Sequence, residues 1–388
     1  MATIDLSALT FTNQADIVPT SGTAEIINTG TANTLGGNDQ ITGTATGTGT
    51  NIGISNDSTG KIDTGDGNDN ITGTATGTGP DFSTGLVNLG FINTGTGNDN
   101  ITGTSIGVGL YNNGSINTGT GNDNITGTAT VPVPGTGHGI YNFDFGTINT
   151  GDDNDIITGT SIGSSGSGID NYGTINTGAG NDIITGTVTG TDNFGIGLYN
   201  NGSINTGTGN DNITGTGTDY GIYNYFYGTI NTGAGNDNIT GTDTGTGTNF
   251  SGYGIDNNGS INTGTGNDNI TGTGTDYGIY NDGTIDTGCG CDIVNALKGG
   301  FAGTGITLLG DGNDIVKGFG SGRFNGGKGC DKLQLTTGTY TVGKSGATVS
   351  FTDLSSIVMN TTQFEKLIAG SKTYNFVDLF AGQTITVA

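Results

Sequence analysis

The 388-residue chain has no Trp, one His, four Pro and three Cys. With His138 as its sole imidazole, chemistry built on several histidines is excluded. Of its 34 acidic residues only Glu25 and Glu365 are Glu, and Lys and Arg together number nine. Helix formers are therefore scarce and the polar character is that of turns. No run approaches ~18 apolar residues, so no membrane-spanning helix is expected. Met1–Pro19 lacks Lys, Arg and an apolar core, so a Sec-type signal is not expected there.

Gly and Asp take the place of the missing types: 81 residues are Gly and 32 are Asp. Up to Ala296 there are 28 acidic residues against Lys61 alone, a net −27; from Leu297 onward the balance is +2. A −27 segment repels nucleic acid and anionic membrane, and neither is an expected partner. It calls for bound cations or dispersed repulsion.

Self-comparison finds a repeat. Ile-Asn-Thr-Gly-Thr-Gly-Asn-Asp-Asn-Ile-Thr-Gly-Thr starts at Ile92, Ile116, Ile204 and Ile261, with variants at Ile62, Ile148, Ile175, Ile230 and Ile285. Its Asp recurs as Asp39, Asp69, Asp99, Asp123, Asp155, Asp182, Asp211, Asp237, Asp268, Asp292, Asp314 and Asp331. The Ile before the turn and the apolar residue after it keep a fixed separation. A third apolar position follows a Gly, as at Ile54, Leu86 and Leu110. Length varies in one leg only, for which Thr72–Ser83 and Thr242–Ser251 are the expected loops.

Three inward apolar positions per unit describe one coil of a parallel β-solenoid, with coils ~4.8 Å apart. The expected fold is all-β: a solenoid with an irregular N-terminal segment and a small β-rich C-terminal cap. Residues 1–34 form a cap or docking segment, 35–297 coils of 24–32 residues, 298–338 shorter coils and 339–388 the cap. An Asn two places after the third apolar position, from Asn56 to Asn281, is expected to form an inward amide ladder. A plain turn Asn is the alternative.

The turn at Gly95, Gly97, Asp99 and Ile101 resembles the haemolysin-type (RTX) calcium-binding nonapeptide, with Thr94 in place of its first Gly. Repetition over roughly Asn28–Leu335 makes the resemblance specific. Leu35 and Asp153 depart from the Gly pattern and weaken the expectation at their turns. The resemblance implies an RTX-like β-roll or β-helix whose twelve turn Asp residues hold Ca²⁺ with backbone carbonyls. Electrostatics points the same way: twelve stacked carboxylates repel by ~0.8 kcal/mol per neighbour even at the dielectric of water, and hard oxygens in a flexible Gly turn suit Ca²⁺. The family's coil carries calcium turns on both edges; here each coil carries one, so a single row of ions is expected. Turn chemistry without metal is the alternative. Asp219, in a variable leg, is expected to be inert.

The segment Tyr374–Phe380 resembles the uncleaved C-terminal signal of type I secreted proteins. Cys289, Cys291 and Cys330 are expected to be free thiols or to bridge between chains, because Cys291 and Cys330 lie two coils apart. Tyr111, Tyr141, Tyr199, Tyr223 and Tyr280 share one outward slot. Such a stripe covers a sheet face or binds glycan or another chain. No catalytic triad, phosphate loop or Cys-x-x-Cys is present, and no enzyme is expected.

Together these features predict a secreted calcium-binding structural protein of a bacterial surface or matrix. It resembles cyanobacterial fibre and surface-layer proteins, and it is expected to stack head to tail with copies of itself. The alternative is a calcium-dependent adhesin for glycan or ice. The turn also resembles that of a bacterial ice-binding solenoid, but its Thr slot is broken by Gly36, Asp66, Asp152, Ala179, Ala234 and Cys289.

Overall fold

A computed structural model describes all residues except 1, 20–21, 50, 78–82, 131–134, 164, 191–193 and 246–250. The chain winds as a three-faced parallel β-solenoid. In the coil that starts at Thr84, Thr84–Asn88 lies in sheet I, Phe91–Asn93 in sheet II and Asn100–Ser105 in sheet III. The Asp turn joins sheets II and III, and the variable leg joins sheet III to the next strand of sheet I. Like residues stack in register: Ile92 on Ile116, Ile101 on Ile125, Leu110 on Ile140.

The three expected apolar columns are the core. Ile54, Ile62 and Ile71 are fully buried, and the pattern holds through Ile279, Ile285 and Val294. Each buried aliphatic side chain contributes about 1.5–3 kcal/mol, yet a single coil has only three. Stability therefore comes from stacking neighbours. Sheets I and III also approach backbone to backbone along facing Gly rows. A Cβ at Gly103 would collide with the carbonyl of Gly109, so these positions admit no side chain.

The expected amide ladder is present. From Asn28, Asn56 and Asn88 onward to Asn257 each Asn donates Nδ2–H to the next coil's Oδ1, at 2.8 Å for Asn56 to Asn88 and 2.9 Å for Asn200 to Asn224, and Asn281 ends the ladder by donating to the Ile306 carbonyl. A second ladder runs the opposite way on sheet II: Asn117 donates to Asn93, and Asn93 to Asp63. The two expected loops begin later than placed, since strands run to Ala75 and Asp243. Thr74 and Thr242 pair in the sheet because the Ile-Thr-Gly-Thr motif itself is strand.

The outer faces differ chemically. Sheet III carries two unbroken ranks of Thr, Thr42 to Thr271 and Thr44 to Thr273, in register across nine coils. No outward residue of these strands from Gln40 to Thr273 is charged. Sheet I carries the expected Tyr column. Phe143, Tyr172, Tyr220, Tyr225, Tyr253 and Tyr277 join it from the outward positions on either side, with ring centroids 4.8–6.4 Å apart.

At the N-terminal end Ala2–Asp5 pairs in parallel with Ala24–Asn28, so the segment forms a first coil, with Leu6 fully buried beneath it. At the other end Val358–Thr362 and Lys366–Ala369 complete the last parallel coil. Antiparallel strands Gly338–Ser345, Thr348–Thr352, Lys372–Asn375 and Thr384–Val387 close it. Tyr340, Phe351, Phe364 and Phe376 are buried there. Phe376 and Leu379 of the export-signal segment belong to this core, whereas Val377 and Phe380 are exposed.

Candidate metal centre

The turn from sheet II to sheet III requires left-handed backbone twice. In the coil of Asp99 these positions are Gly95, at φ 96°, and Gly97, at φ 131°. Leu35 and Asp153 occupy equivalent positions at φ 73° and 82°. The two departures thus keep the turn, and Asp39 and Asp155 stay in the column. Thr96 and Asn98 point outward from the corner, while Asp99 turns inward and is fully buried.

All twelve turn Asp residues stand in one column, at most 2 % exposed. Each Oδ1 accepts the amide N–H of the Asp one coil earlier: Asp69 N to Asp99 Oδ1 at 2.8 Å, Asp182 N to Asp211 Oδ1 at 2.9 Å. Two residues that the repeat did not reveal bracket the ladder. Asp16 donates its amide to Asp39 Oδ1 at 2.8 Å, and Glu365 Oε2 accepts the amide of Asp331 at 2.6 Å. Glu365 sits outside the motif, and its rarity among 32 Asp was the one signal available.

The second carboxylate oxygen is the informative atom. Asp39 Oδ2 accepts from the Thr34 hydroxyl. From Asp69 to Asp331 each of the other eleven Oδ2 atoms is buried without a hydrogen-bond partner. Most turn Thr hydroxyls donate to a carbonyl of the next coil, as Thr94 Oγ1 does to Thr118 at 3.3 Å, while Thr150 and Thr177 Oγ1 are themselves unpartnered. Lys61, the single basic residue before Leu297, pairs with Asp63 at 2.7 Å, away from the column. A buried ionised oxygen with neither donor nor counter-ion is costly.

Protonation answers part of that cost. Burial pushes Asp69, Asp99, Asp211 and Asp268 up to about 6, and Asp155 and Asp314 up to about 7. The nearby turn Thr hydroxyls and the amide hydrogen bonds oppose the rise, and neighbouring carboxylates add to it for most of these groups. Asp123, Asp182, Asp237 and Asp292 move the same way. Near neutral pH such a column is held by protons or by cations. Among the described residues no three His, Cys, Asp or Glu side chains converge on one point. Side chains alone do not encircle an ion, so each ion would need backbone carbonyls or water besides the carboxylates of adjacent coils. That is the donor set of a hard cation.

Asp219 departs from expectation: it is buried, accepts the Ser251 amide at 2.9 Å and is pushed up to about 6 by burial. Its leg is only Thr218 and Asp219, between Gly217 and Tyr220, and Asp219 is held between Gly195 of the preceding coil and Ser251 and Tyr253 of the next. Cys289 and Cys291 are exposed and Cys330 half-exposed, all as free thiols.

No family model matches the chain. No curated protein matches it significantly. Among solved structures it is similar to a hyperactive, Ca²⁺-dependent, β-helical antifreeze protein from an Antarctic bacterium. The TM-score is 0.41 at 22 % identity, over 84 % of this chain and 78 % of that one.

Proposed function

We propose that the protein is a calcium-loaded structural solenoid of a bacterial surface or extracellular matrix. The column of eleven unpartnered carboxylate oxygens carries the reading. Ca²⁺ between successive turns would supply the charge those oxygens lack and join each coil to the next, with Asp69 through Asp331 as ligands. Titration of the metal-free chain with Ca²⁺, followed by calorimetry and circular dichroism, tests it. Several ions should bind as β-structure forms; a chain that folds fully in chelator without binding Ca²⁺ would refute the reading.

Calcium-limited folding suits export by a type I route, in which the chain passes unfolded from a low-calcium cytosol and folds outside. The apolar segment Tyr374–Phe380 supports that route. End-to-end association is part of the same proposal. Among the described residues the outer edges of Ala2–Asp5 and Ile17–Val18 pair with no further strand. Electron microscopy with and without Ca²⁺ should show filaments only with it, and Thr3→Lys, which places charge on that edge, should shorten them. Monomers at high concentration in Ca²⁺ would exclude assembly.

A second reading rests on sheet III. Its Thr ranks repeat ~4.8 Å between coils and roughly 6.6 Å along a strand, spacings close to those of the ice lattice, on an uncharged face. The broken Thr slot of the turn plays no part in it. Thermal hysteresis that Thr126→Lys abolishes would support an ice-binding face; none in the intact protein would remove it.

A further inference from the structure

Sheet I carries ten of the chain's 13 Tyr residues. In two coils the Tyr slot holds Asp instead, at Asp170 and Asp256. The two differ in one respect. Asp256 accepts a hydrogen bond from Asn258 Nδ2 at 2.9 Å. Asp170 is 7 % exposed, and its Oδ1 is buried without a hydrogen-bond partner. Its other oxygen lies 3.2 Å from His138 Nδ1, and His138 Nδ1 makes no hydrogen bond of good geometry.

Asp170 opens onto a cavity of about 270 Å³. Its wall is aromatic: His138, Tyr172, Phe194 and Tyr199 line it with Ile196. Tyr172 and Tyr199 stand 5.4 Å apart, tilted by 45°, and His138 stacks on Tyr141 at 5.0 Å. The local field is negative. Burial, together with the charges of Asp170 and Asp144, pushes the Tyr141 phenol up to about 12. Burial holds His138 down at about 4, so it supplies no charge near neutral pH. Among the described residues no Lys or Arg lines the cavity, and Lys61, the single Lys of the array, is committed to Asp63 and Phe91. Burial also raises the Asp170 carboxyl itself to about 7, a cost that a bound cation would relieve. Among the described residues the cavity therefore combines electron-rich ring faces, a buried carboxyl oxygen lacking a donor and no Lys or Arg.

We infer that this cavity binds an ammonium-bearing ligand, with its cationic group against Asp170 and enclosed by His138, Tyr172, Phe194 and Tyr199. Aromatic walls attract a desolvated cation through the ring quadrupole. The carboxylate gains the counter-ion it lacks, and the surrounding negative field favours entry. A neutral sugar would gain only the hydroxyl contact, and an anionic one would be repelled. The cationic group has two sources: a quaternary ammonium head group, or the amine of an amino sugar in a surface polysaccharide.

Calorimetry on the full chain in saturating Ca²⁺ separates them. Choline is compared with its uncharged isostere 3,3-dimethylbutan-1-ol, and glucosamine with glucose. The charged member of a pair should bind and the uncharged one should not. Preference for choline assigns a head group, and preference for glucosamine a polysaccharide. Asp170→Asn, which keeps the shape and removes the charge, should weaken binding about tenfold or more, and Tyr199→Ala similarly. Asp256→Asn should bind as the parent does, and circular dichroism confirms that each variant folds. Four results would overturn the inference: equal binding within both pairs, no binding of any probe at millimolar concentration, undiminished binding by Asp170→Asn, or loss of self-association as the only effect of Tyr199→Ala. The last would make the face a contact between copies of the chain.

Discussion

Before Leu297 the chain carries 28 acidic residues against one Lys; after it, six against eight basic ones. The packing changes at the same place. Each coil of the long array buries one aliphatic residue per face and ties itself to its neighbours by Asn ladders and the Asp column. The C-terminal part packs Phe376 against Phe351 and Phe364, and Tyr340 against Phe319, and turns to antiparallel pairing. The array depends on neighbours and on whatever neutralises its carboxylates. The cap closes the end of the same continuous core with large aromatic side chains, as a terminal element that must stop a repeat has to. Stability in this molecule is therefore local in origin, and its two regions should respond differently to the same perturbation.

Chelation is the largest such perturbation. In chelator at neutral pH, amide exchange should lose protection across Asn28–Thr287 and keep it in Gly338–Val387. Uniform loss, or none, would break the distinction. Acid should act in the opposite sense on the metal-free array. Its carboxyls are held up to about 6–7 by burial, against about 3.9 in an unfolded chain. The folded state thus keeps protons that the unfolded state releases. That contribution is fully present below about pH 4 and is lost as pH rises through 6 to 7. Circular dichroism of the metal-free chain should show more β-structure at pH 4.5 than at pH 7.5, and the reverse order would place the cost elsewhere.

Asp211→Ala sharpens the comparison within one column. In Ca²⁺ it leaves the Asp182 amide without its acceptor, at about 1–3 kcal/mol, and lowers calcium affinity. In chelator the same amide is stranded, but a buried carboxyl whose neighbours disfavour its charge is also removed, so the two effects offset. Thermal melts should therefore fall further in Ca²⁺ than in chelator, whereas exposed Asp276→Ala should shift neither. Asn171→Ala leaves Asn200 Oδ1 without its donor, for about 1–3 kcal/mol in either condition; Asn360→Ala in the cap should cost less. The smallest effect is expected at the junction. Cys289→Ser and Cys291→Ser should change stability by no more than about 0.5 kcal/mol, and both thiols should react with a maleimide faster than Cys330.

Much of the array was legible because its constraints are local. A fixed spacing from Ile92 to Ile101, a Gly before Leu110 and an Asn after it determine which side chains face in. Stacking of near-identical coils leaves one register that aligns Ile with Ile and Asn with Asn. The twelve Asp residues could be placed in a column for the same reason. What escaped were features made by contact between distant or non-repeating segments. Glu365 terminates the Asp column only because the cap folds back onto the last coil. Asp219 is buried because its short leg is sandwiched between residues of the two neighbouring coils, Gly195 on one side and Ser251 and Tyr253 on the other. The loops begin late at Ala75 and Asp243 because a Thr-Gly-Thr segment pairs with its copies above and below.

The sequence by itself determined the coil, its three inward columns, its inward Asn ladder and the single acidic turn, since each is written into about two dozen residues and repeated. Only the tertiary structure decided what the outer surface became. Alternation says which residues face out, but not which of them meet. The gathering of Tyr172, Tyr220, Tyr253 and Tyr277 with the expected Tyr column, the uncharged Thr ranks of sheet III and the unpartnered Asp170 beside His138 all arise from neighbours in different coils. Parallel stacking in register brings those neighbours together; the Thr side chains belong to the repeat, whereas the residues around the Tyr slot change from coil to coil, so no single unit encodes which of them meet.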